Sequence, residues 1–386
     1  MISVDEALGH IFDLVTPLGA ETVPLREAAN RVLAAPITAS RNQPPFRASV
    51  MDGYAVAGDH PAYEVVGESA AGHAFDGDIA EAQAVRIFTG APLPESATRV
   101  IIQEDVTREG ARITVADGAD TQPYIREIGI DFRVGDQIAA PRRLTPADLA
   151  LAASMNVAEV TVSRRPSVAL IATGDELVMP GEDPGPDQII ASNAFGLAAI
   201  AEAEGASARL LPIARDNRAS LEAAFGLAEG ADLIVTIGGA SVGDHDIVGE
   251  VAAELGMDRS FYKVAMRPGK PLMAGRIGDA PLVGLPGNPV SSMVCGHIFL
   301  RPMLRALQGL PAERIPHRTA PLAAPLAANG PREHYMRAHF DGAALTAAER
   351  QDSSLLSVLA RANALVIRPP HGPAIEAGTL VPFIDF

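Results

Sequence analysis

The sequence predicts a multidomain α/β plus β protein: a central doubly wound α/β domain, a split helical domain, an inserted β domain and a C-terminal β barrel. Three observations lead there. Residues 165–310 alternate apolar strands with amphipathic helices, the pattern of a mostly parallel sheet covered on both faces. From Tyr54 to about Ala140 the periodicity falls towards two, broken by glycines and prolines. Helix-start signals at Ser3 and Thr145 flank that stretch, so it reads as an insertion. At 386 residues the chain also exceeds what one core usually serves.

In chain order, Ser3 with Glu6 forms a capping box. Ala7, Leu8, Ile11, Phe12 and Val15 then make a helical stripe. A second short helix is expected over residues 25–33, ended by Pro36. Pro44-Pro45 forces extended chain, and Asp52-Gly53 makes a tight turn. The β runs follow at 63–66, 84–88, 99–102 and 112–115, with the loop Thr89-Gly90-Ala91-Pro92 among them. Thr145 caps the next helix, Pro146 takes its first position, and Asp148 supports the first turn. Residues 145–164 are expected to return and pack on residues 3–40. This gives boundaries of 1–50 with 141–164 (helical), 51–140 (β), 165–310 (α/β) and 311–386 (β barrel).

Within 165–310, strands are expected at 167–172, 209–213, 233–237, 261–265 and 282–285. Helices are expected at 192–204, 218–228, 247–255 and 290–307. Ligands of such sheets sit beyond the C-terminal ends of the strands. The loops at those ends are all unusual: Thr173-Gly174-Asp175-Glu176, Arg215-Asp216-Asn217, Gly238 to Asp246, Arg267-Pro268-Gly269-Lys270-Pro271 and Pro286-Gly287-Asn288-Pro289. Beyond Pro311, proline-rich turns separate short apolar runs.

Charge narrows the function. Acids outnumber Lys plus Arg by 47 to 31, a formal net charge of −16. That argues against non-specific nucleic-acid or anionic-membrane binding, which need a basic face. The first residues are acidic and lack an apolar core, so no signal peptide is expected. No stretch approaches the roughly 20 apolar residues of a membrane span. Cys295 has no second cysteine to pair with and sits in an apolar run, so it reads as core filler in a cytoplasmic protein. His10, His73, His297 and His371 show no metal-ligand spacing, and His245 reads as exposed and incidental.

The stretch from Ala231 to Val248 carries the chemistry. A buried strand feeds Gly238-Gly239-Ala240-Ser241-Val242-Gly243, then Asp244 and Asp246, then a helix start. Glycines let backbone N–H groups approach an anion, and a helix start adds partial positive charge. Neither a Walker A ending nor dinucleotide-fingerprint spacing is present. A tight turn without a ligand satisfies the glycines equally well. Two carboxylates beside an anion loop would repel a phosphate unless a divalent cation sits between them, which points to a phosphate ester or pyrophosphate with Mg²⁺ at Asp244 and Asp246. Lys263 lies in an otherwise apolar strand, where an ammonium is costly unless it reaches a partner or the rim. Plainer roles exist for the others. Asp52 can be only a turn former, Thr89 can bond its own turn, Glu176 can favour a helix start, and Asp216 can be an N-cap.

Taken together, the ordered motifs resemble one family. They are SVMDGYA at Ser49 to Ala55, TGAPLP at Thr89 to Pro94, TGDEL at Thr173 to Leu177, GGASVGDHD at Gly238 to Asp246, RPGKP at Arg267 to Pro271 and GLPGNPVS at Gly284 to Ser291. The chain resembles the molybdopterin molybdenumtransferases, the MoeA family, over nearly its whole length. The resemblance implies a molybdopterin-binding α/β domain, a homodimer with sites shared between protomers, and an activity. That activity is insertion of molybdate into adenylylated molybdopterin with Mg²⁺, releasing AMP and molybdenum cofactor. Asp52, Thr89, Asp131, Glu176, Asp216, Asp246 and Lys263 correspond to catalytic positions. Thr173, Gly174, Gly238, Gly239, Ser241, Gly243, Pro286, Gly287, Asn288 and Pro289 correspond to pterin-nucleotide contacts. Arg267, Lys270, Arg337, Ser353 and Ser354 fall where the family contacts molybdate. Arg267 stands where some members have lysine, which keeps the charge but adds a planar fork. The alternatives are a molybdopterin adenylyltransferase, which has the same α/β domain standing alone, and a non-catalytic pterin-binding scaffold of the kind the gephyrin E domain provides. The retained acids and the flanking domains favour the transferase.

Overall fold

The computed structural model describes residues 1–239 and 247–386. The chain divides into two compact units. The larger holds Met1–Glu21, Asn30–Ala34 and Val162–Phe386, and the smaller holds Thr22–Ala29 and Ala35–Thr161.

The larger unit is built on a six-stranded sheet in the order Ser207–Leu210, Ser167–Ala172, Leu233–Ile237, Ala280–Leu285, Pro271–Ile277, Asp258–Lys263. The first four strands are parallel, and Pro271–Ile277 runs antiparallel to both its neighbours. Alternate residues of Ser167–Ala172 enter separate cores: Val168 and Leu170 on one face, Ala169 and Ile171 on the other. That two-sided burial explains why these strands read as unbroken apolar runs. Helices Asn193–Ala203 and Val4–Asp13, with the helical run that begins at Pro289, cover one face. Arg218–Leu227 and Ile247–Glu254 cover the other. The first helix carries the expected capping box and buries Val4, Ala7, Leu8 and Ile11 in this core.

Several expected elements differ. The strand Pro271–Ile277 was not foreseen, because Pro271 and Gly275 interrupt its pattern. Gly275 is required there, since a Cβ would lie 2.4 Å from the Asp258 carbonyl oxygen. The helix expected over 25–33 is a single turn, Leu25–Glu27, followed by the strand Val32–Leu33. Asn30 takes φ 61, a left-handed value that ends a helix, and the buried Arg31 pairs with Glu21 and donates to the Ser163 carbonyl at 2.7 Å. The run from Pro289 is helical to Leu307 but widens to a π turn at Gly296–Leu300, just before Pro302. Proline has no N–H to give, so the ladder must shift there.

Also in the larger unit, Glu333–Phe340 pairs with Ala364–Arg368 and, on its other edge, with Met266–Arg267. The strands Leu380–Asp385 and Arg318–Pro321 complete that sheet, and a bridge between Leu322 and Leu345 brings its two ends together. In the smaller unit six strands run in the order Arg99–Ile102, Gly53–Val56, Gln83–Ile87, Ala62–Ser69, Arg112–Val115, Val106–Glu109. Thr145 caps Pro146–Ser154 through a capping box with Asp148. Among the described residues no helix is long and apolar enough to cross a membrane.

Candidate functional site

A cleft of about 860 Å³ opens at the C-terminal rim of the parallel strands in the larger unit. Loops far apart in sequence meet there: Thr173, Gly174 and Glu176; Asp216; Gly238 and Gly239; and Pro286, Gly287, Asn288 and Pro289. The loop 267–271 reaches the cleft only through Pro271. Ser241, Gly243, Asp244 and Asp246 lie outside the described residues.

Backbone crowding explains the two glycines. Gly238 and Gly239 take φ 94 and 64. A Cβ on Gly238 would lie 2.8 Å from the Thr173 carbonyl oxygen, and one on Gly239 would lie 2.2 Å from Val248 Cγ2. No side chain fits, so the chain passes through as bare backbone, with Gly238 N donating to the Leu285 carbonyl at 3.0 Å.

The plainer roles for two acids do not hold. Asn217, not Asp216, is the N-cap of Arg218–Leu227, accepting from Ser220 N at 3.0 Å. No helix starts at Glu176, which is followed by the strand Leu177–Val178. Instead the Asp216 and Asp175 carboxylates brace two loops reciprocally. Asp216 N donates to Asp175 Oδ1 at 3.1 Å, and Asp175 N donates to Asp216 Oδ2 at 3.4 Å. Arg215 locks the same pair of loops. Its Nη1 donates to the Gly174, Asp175 and Leu177 carbonyls at 3.3, 3.0 and 2.9 Å.

Sequence reasoning missed several residues of this cleft. Glu250, one turn into the helix after the glycine loop, adds an exposed carboxylate to its wall. Its position three residues past Ile247 on an amphipathic helix was a readable signal. Asn193 bridges to the opposite wall, its Nδ2 donating to the Gly287 carbonyl at 2.8 Å. Arg215 and Asp175 stood in the quoted loops, but nothing local marked them as braces. Glu176, Asp216 and Glu250 thus face the cleft, and no lysine or arginine is among its described lining residues.

The basic residues lie apart from that cleft. Lys263 ends its strand at the same rim, half buried, with Nζ 5.2 Å from the centre of the Tyr262 ring. Arg267 and Lys270 are exposed. Arg337 is buried, and its nitrogens are committed: Nε and Nη2 donate to Gln351 Oε1 at 3.0 and 2.9 Å, and Nη1 donates to the Asp352 carbonyl at 2.7 Å. Burial lowers its pKa. It therefore shapes the 351–354 loop. There Ser354 donates to Asp352 Oδ1 through both Oγ and N, which holds the Asp352 carboxyl below the usual range. Val290 N donates to the Ser353 carbonyl at 3.0 Å, so this loop touches the helix start after Pro289.

In the smaller unit, Thr89 donates to Asp52 Oδ1 through N at 2.7 Å and Oγ1 at 2.9 Å. These bonds, the backbone one foremost, hold the Asp52 pKa below its usual value. Asp131 is exposed on a loop whose N–H donates to the Gln43 carbonyl at 3.0 Å.

Family models match almost end to end. Residues 2–156 match the MoeA N-terminal region (domains I and II), 169–306 a probable molybdopterin binding domain, and 319–386 the MoeA C-terminal region (domain IV). A Mycobacterium tuberculosis molybdopterin molybdenumtransferase 2 is 36% identical over 98% of each chain. The chain belongs to the molybdopterin molybdenumtransferase (MoeA) family. Another relative, the molybdopterin molybdenumtransferase of Haemophilus influenzae, is 38% identical over 80% of this chain and 78% of its own. A structure of a molybdopterin biosynthesis MoeA protein from Pyrococcus horikosii aligns with a TM-score of 0.83 at 28% identity, covering 99% of this chain and 98% of that one. This MoeA-family chain is accordingly a transferase of molybdenum cofactor biosynthesis with a molybdopterin-binding domain.

Proposed function

We propose that the protein inserts molybdate into adenylylated molybdopterin in the cytoplasm, releasing AMP and molybdenum cofactor, with Mg²⁺ at the rim cleft. The observation that carries this is the composition of the cleft wall. Bare glycine backbone suits a phosphoryl group, yet Glu176, Asp216 and Glu250 face the same space without a lining cation among the described residues. A pyrophosphate would be repelled there unless a hard divalent cation lay between, and oxygen donors of this kind suit Mg²⁺. Asp244 and Asp246, which follow the glycines in sequence, would add carboxylates to that donor set. When bound, Mg²⁺ would neutralise charge on the phosphoryl oxygens.

The residues themselves position. Arg215 and the Asp175–Asp216 brace fix the loop that carries Glu176. Lys263, Arg267 and Lys270 supply positive charge for the molybdate dianion, while Arg337 orders the loop bearing Ser353 and Ser354. Asp52, Thr89 and Asp131 belong to the smaller unit, and we assign them to a site completed by a second protomer of a homodimer. Four domains, at 1–50 with 141–164, 51–140, 165–310 and 311–386, fit this division of labour.

The adenylyltransferase reading is disfavoured because matched relatives of nearly equal length are named molybdenumtransferases. The test is incubation of purified protein with molybdopterin-AMP, Mg²⁺ and molybdate, assayed for AMP and active cofactor. Absence of molybdate-dependent AMP release would overturn the reading.

A further inference from the structure

Arg86 is half-buried on the strand Gln83–Ile87, in register with Tyr54 on the neighbouring strand. Residues in register share a face, and Phe88 falls on that face by alternation. The guanidinium therefore lies against two rings, its carbon 5.1 Å from the centre of Tyr54 and 4.7 Å from that of Phe88. Stacking holds the planar group by its faces and leaves its edge free to donate. Nη1 donates to the Gly53 carbonyl at 3.0 Å, and Nη2 donates to Gln103 Oε1 at 2.8 Å.

Both contacts end at the turn that carries Asp52. Gly53 follows Asp52 directly, and a Cβ there would lie 2.0 Å from the Ile101 carbonyl oxygen. The turn is thus pressed onto the strand Arg99–Ile102, with which Gly53 is in register. Beyond that strand, Gln103 N donates to the Asp52 carbonyl at 3.1 Å. Arg86 ties together the residue after Asp52 and the residue that grips the Asp52 backbone. The carboxylate itself is left to Thr89. Arg86 reaches it only as nearby charge, which after the two Thr89 hydrogen bonds also helps to hold the Asp52 carboxyl below its usual value. A guanidinium forked onto the carboxylate would cover the oxygen that Thr89 leaves open. Spent on the turn instead, it fixes the backbone and keeps that oxygen available.

We propose that Arg86 is the positioning residue for Asp52, setting the direction in which the open carboxylate oxygen meets its ligand while touching no substrate itself. This rests on the reading that Asp52 serves the transferase reaction. Arginine is required for the role, because lysine offers neither a flat face for the two rings nor a fork for two acceptors.

The test uses the full-length protein as wild type, Arg86→Met, Arg86→Lys, Asp52→Ala and the double variant Asp52→Ala with Arg86→Met. A misplacement of about 1 Å can cost on the order of a hundredfold in rate. We expect Arg86→Met to lower kcat by roughly tenfold or more and to leave KM for molybdopterin-AMP nearly unchanged, with Arg86→Lys in between. In single turnover, Arg86→Met should cost nothing further once Asp52 is already alanine, since coupled residues are not additive. The Asp52 carboxyl ¹³C signal should move in both Arg86 variants, and its titration midpoint should rise in Arg86→Met. Arg86→Lys keeps the charge and carries the same readout if the methionine variant folds poorly. An equal loss in both backgrounds, or an Asp52 signal and midpoint that overlay the wild type, would refute the role of Arg86 and leave the reading of Asp52 standing. If Asp52→Ala turns over like the wild type, the reading beneath fails and the proposal with it.

Discussion

Thr89 grips a single oxygen of Asp52 with two donors, its backbone N and its Oγ1, at 2.7 and 2.9 Å. The pair joins a turn at Asp52-Gly53 to a loop 37 residues away, and both side chains stay exposed. A carboxylate so held keeps one oxygen fixed and the other open to a ligand. Its pKa is lowered, so Asp52 stays ionised further into acid than an ordinary carboxylate. The stabilisation from this contact is full above the ordinary carboxylate pKa and is lost as pH falls through the depressed value. Thr89→Val removes the hydroxyl donor and should move the Asp52 titration part of the way back up. Carboxyl ¹³C titration reads this directly, and an unchanged midpoint would show that the hydroxyl does not hold Asp52.

If the partner protomer supplies Asp52 to the rim cleft, two inactive variants should complement each other. Asp52→Ala and Asp246→Ala, each expected to lose activity on its own, should regain part of it after mixing and subunit exchange, because one hybrid site is then intact. A protein that sediments as a monomer and still turns over would remove the idea.

The metal has its own test. Chelation by EDTA should abolish AMP release, and Mg²⁺ should restore it. Asp216→Asn should lower turnover on the order of a hundredfold while pterin-nucleotide affinity changes little, since placing the phosphoryl group is the task. Arg215→Ala should do similar damage from one residue away, by freeing the Gly174, Asp175 and Leu177 carbonyls. EDTA-resistant activity would count decisively against a cation in the cleft.

Local signals in the sequence were reliable where the physics is local. The capping boxes at Ser3–Glu6 and Thr145–Asp148 and the buried strand Leu233–Ile237 form as read. The glycines of the rim loop were legible, although their reason is tertiary: Thr173 and Val248 leave no room for a side chain. Other features depend on partners remote in sequence. The helix expected through residues 25–33 yields to Asn30 in a left-handed conformation and to Arg31, whose buried guanidinium needs Glu21 and the Ser163 carbonyl. Asp216 looked like a cap because capping and bracing use the same short acid, and only the neighbouring Asn217 decides between them. Arg86 had no local mark at all, since its setting is created by the register that places it beside Tyr54 and the Gly53 carbonyl.

Acid should destabilise the protein through His297. This ring is buried against Phe386, its Nδ1 has no partner among the described residues, and burial drives its pKa down to about 3. The unfolded chain takes up the proton from about pH 6.5 downwards, whereas the folded chain resists until about 3. Stability therefore falls across that window, by up to about 1.4 kcal/mol per pH unit from this one group. His297→Leu should flatten the dependence, leaving the smaller contributions of His317 and His334, whose pKa values burial also lowers. Urea midpoints measured between pH 4 and 7 decide it: parallel curves for the variant and wild type would show that His297 is not the acid-sensitive group.

Molybdate binding gives the last prediction. A dianion needs cations, and Lys270 stands in a turn built to hold it. Val264 N donates to the Lys270 carbonyl at 3.1 Å, prolines lie at 268 and 271, and Gly269 takes φ 109. A Cβ on Gly269 would lie 2.5 Å from the sulfur of the buried Cys295, so the turn is pressed onto the core and cannot drift. A pre-positioned cation loses less entropy on binding. Charge-assisted bonds to an oxyanion contribute on the order of 1.5–3 kcal/mol each, so removing one should weaken binding by roughly one to two decades. Lys270→Ala should therefore raise the molybdate concentration for half-maximal activity at least tenfold while leaving molybdopterin-AMP affinity nearly unchanged. The measurement is a molybdate titration at saturating pterin nucleotide. A curve that overlays the wild type would mean that Lys270 is a solvated turn residue and that the anion is held without it.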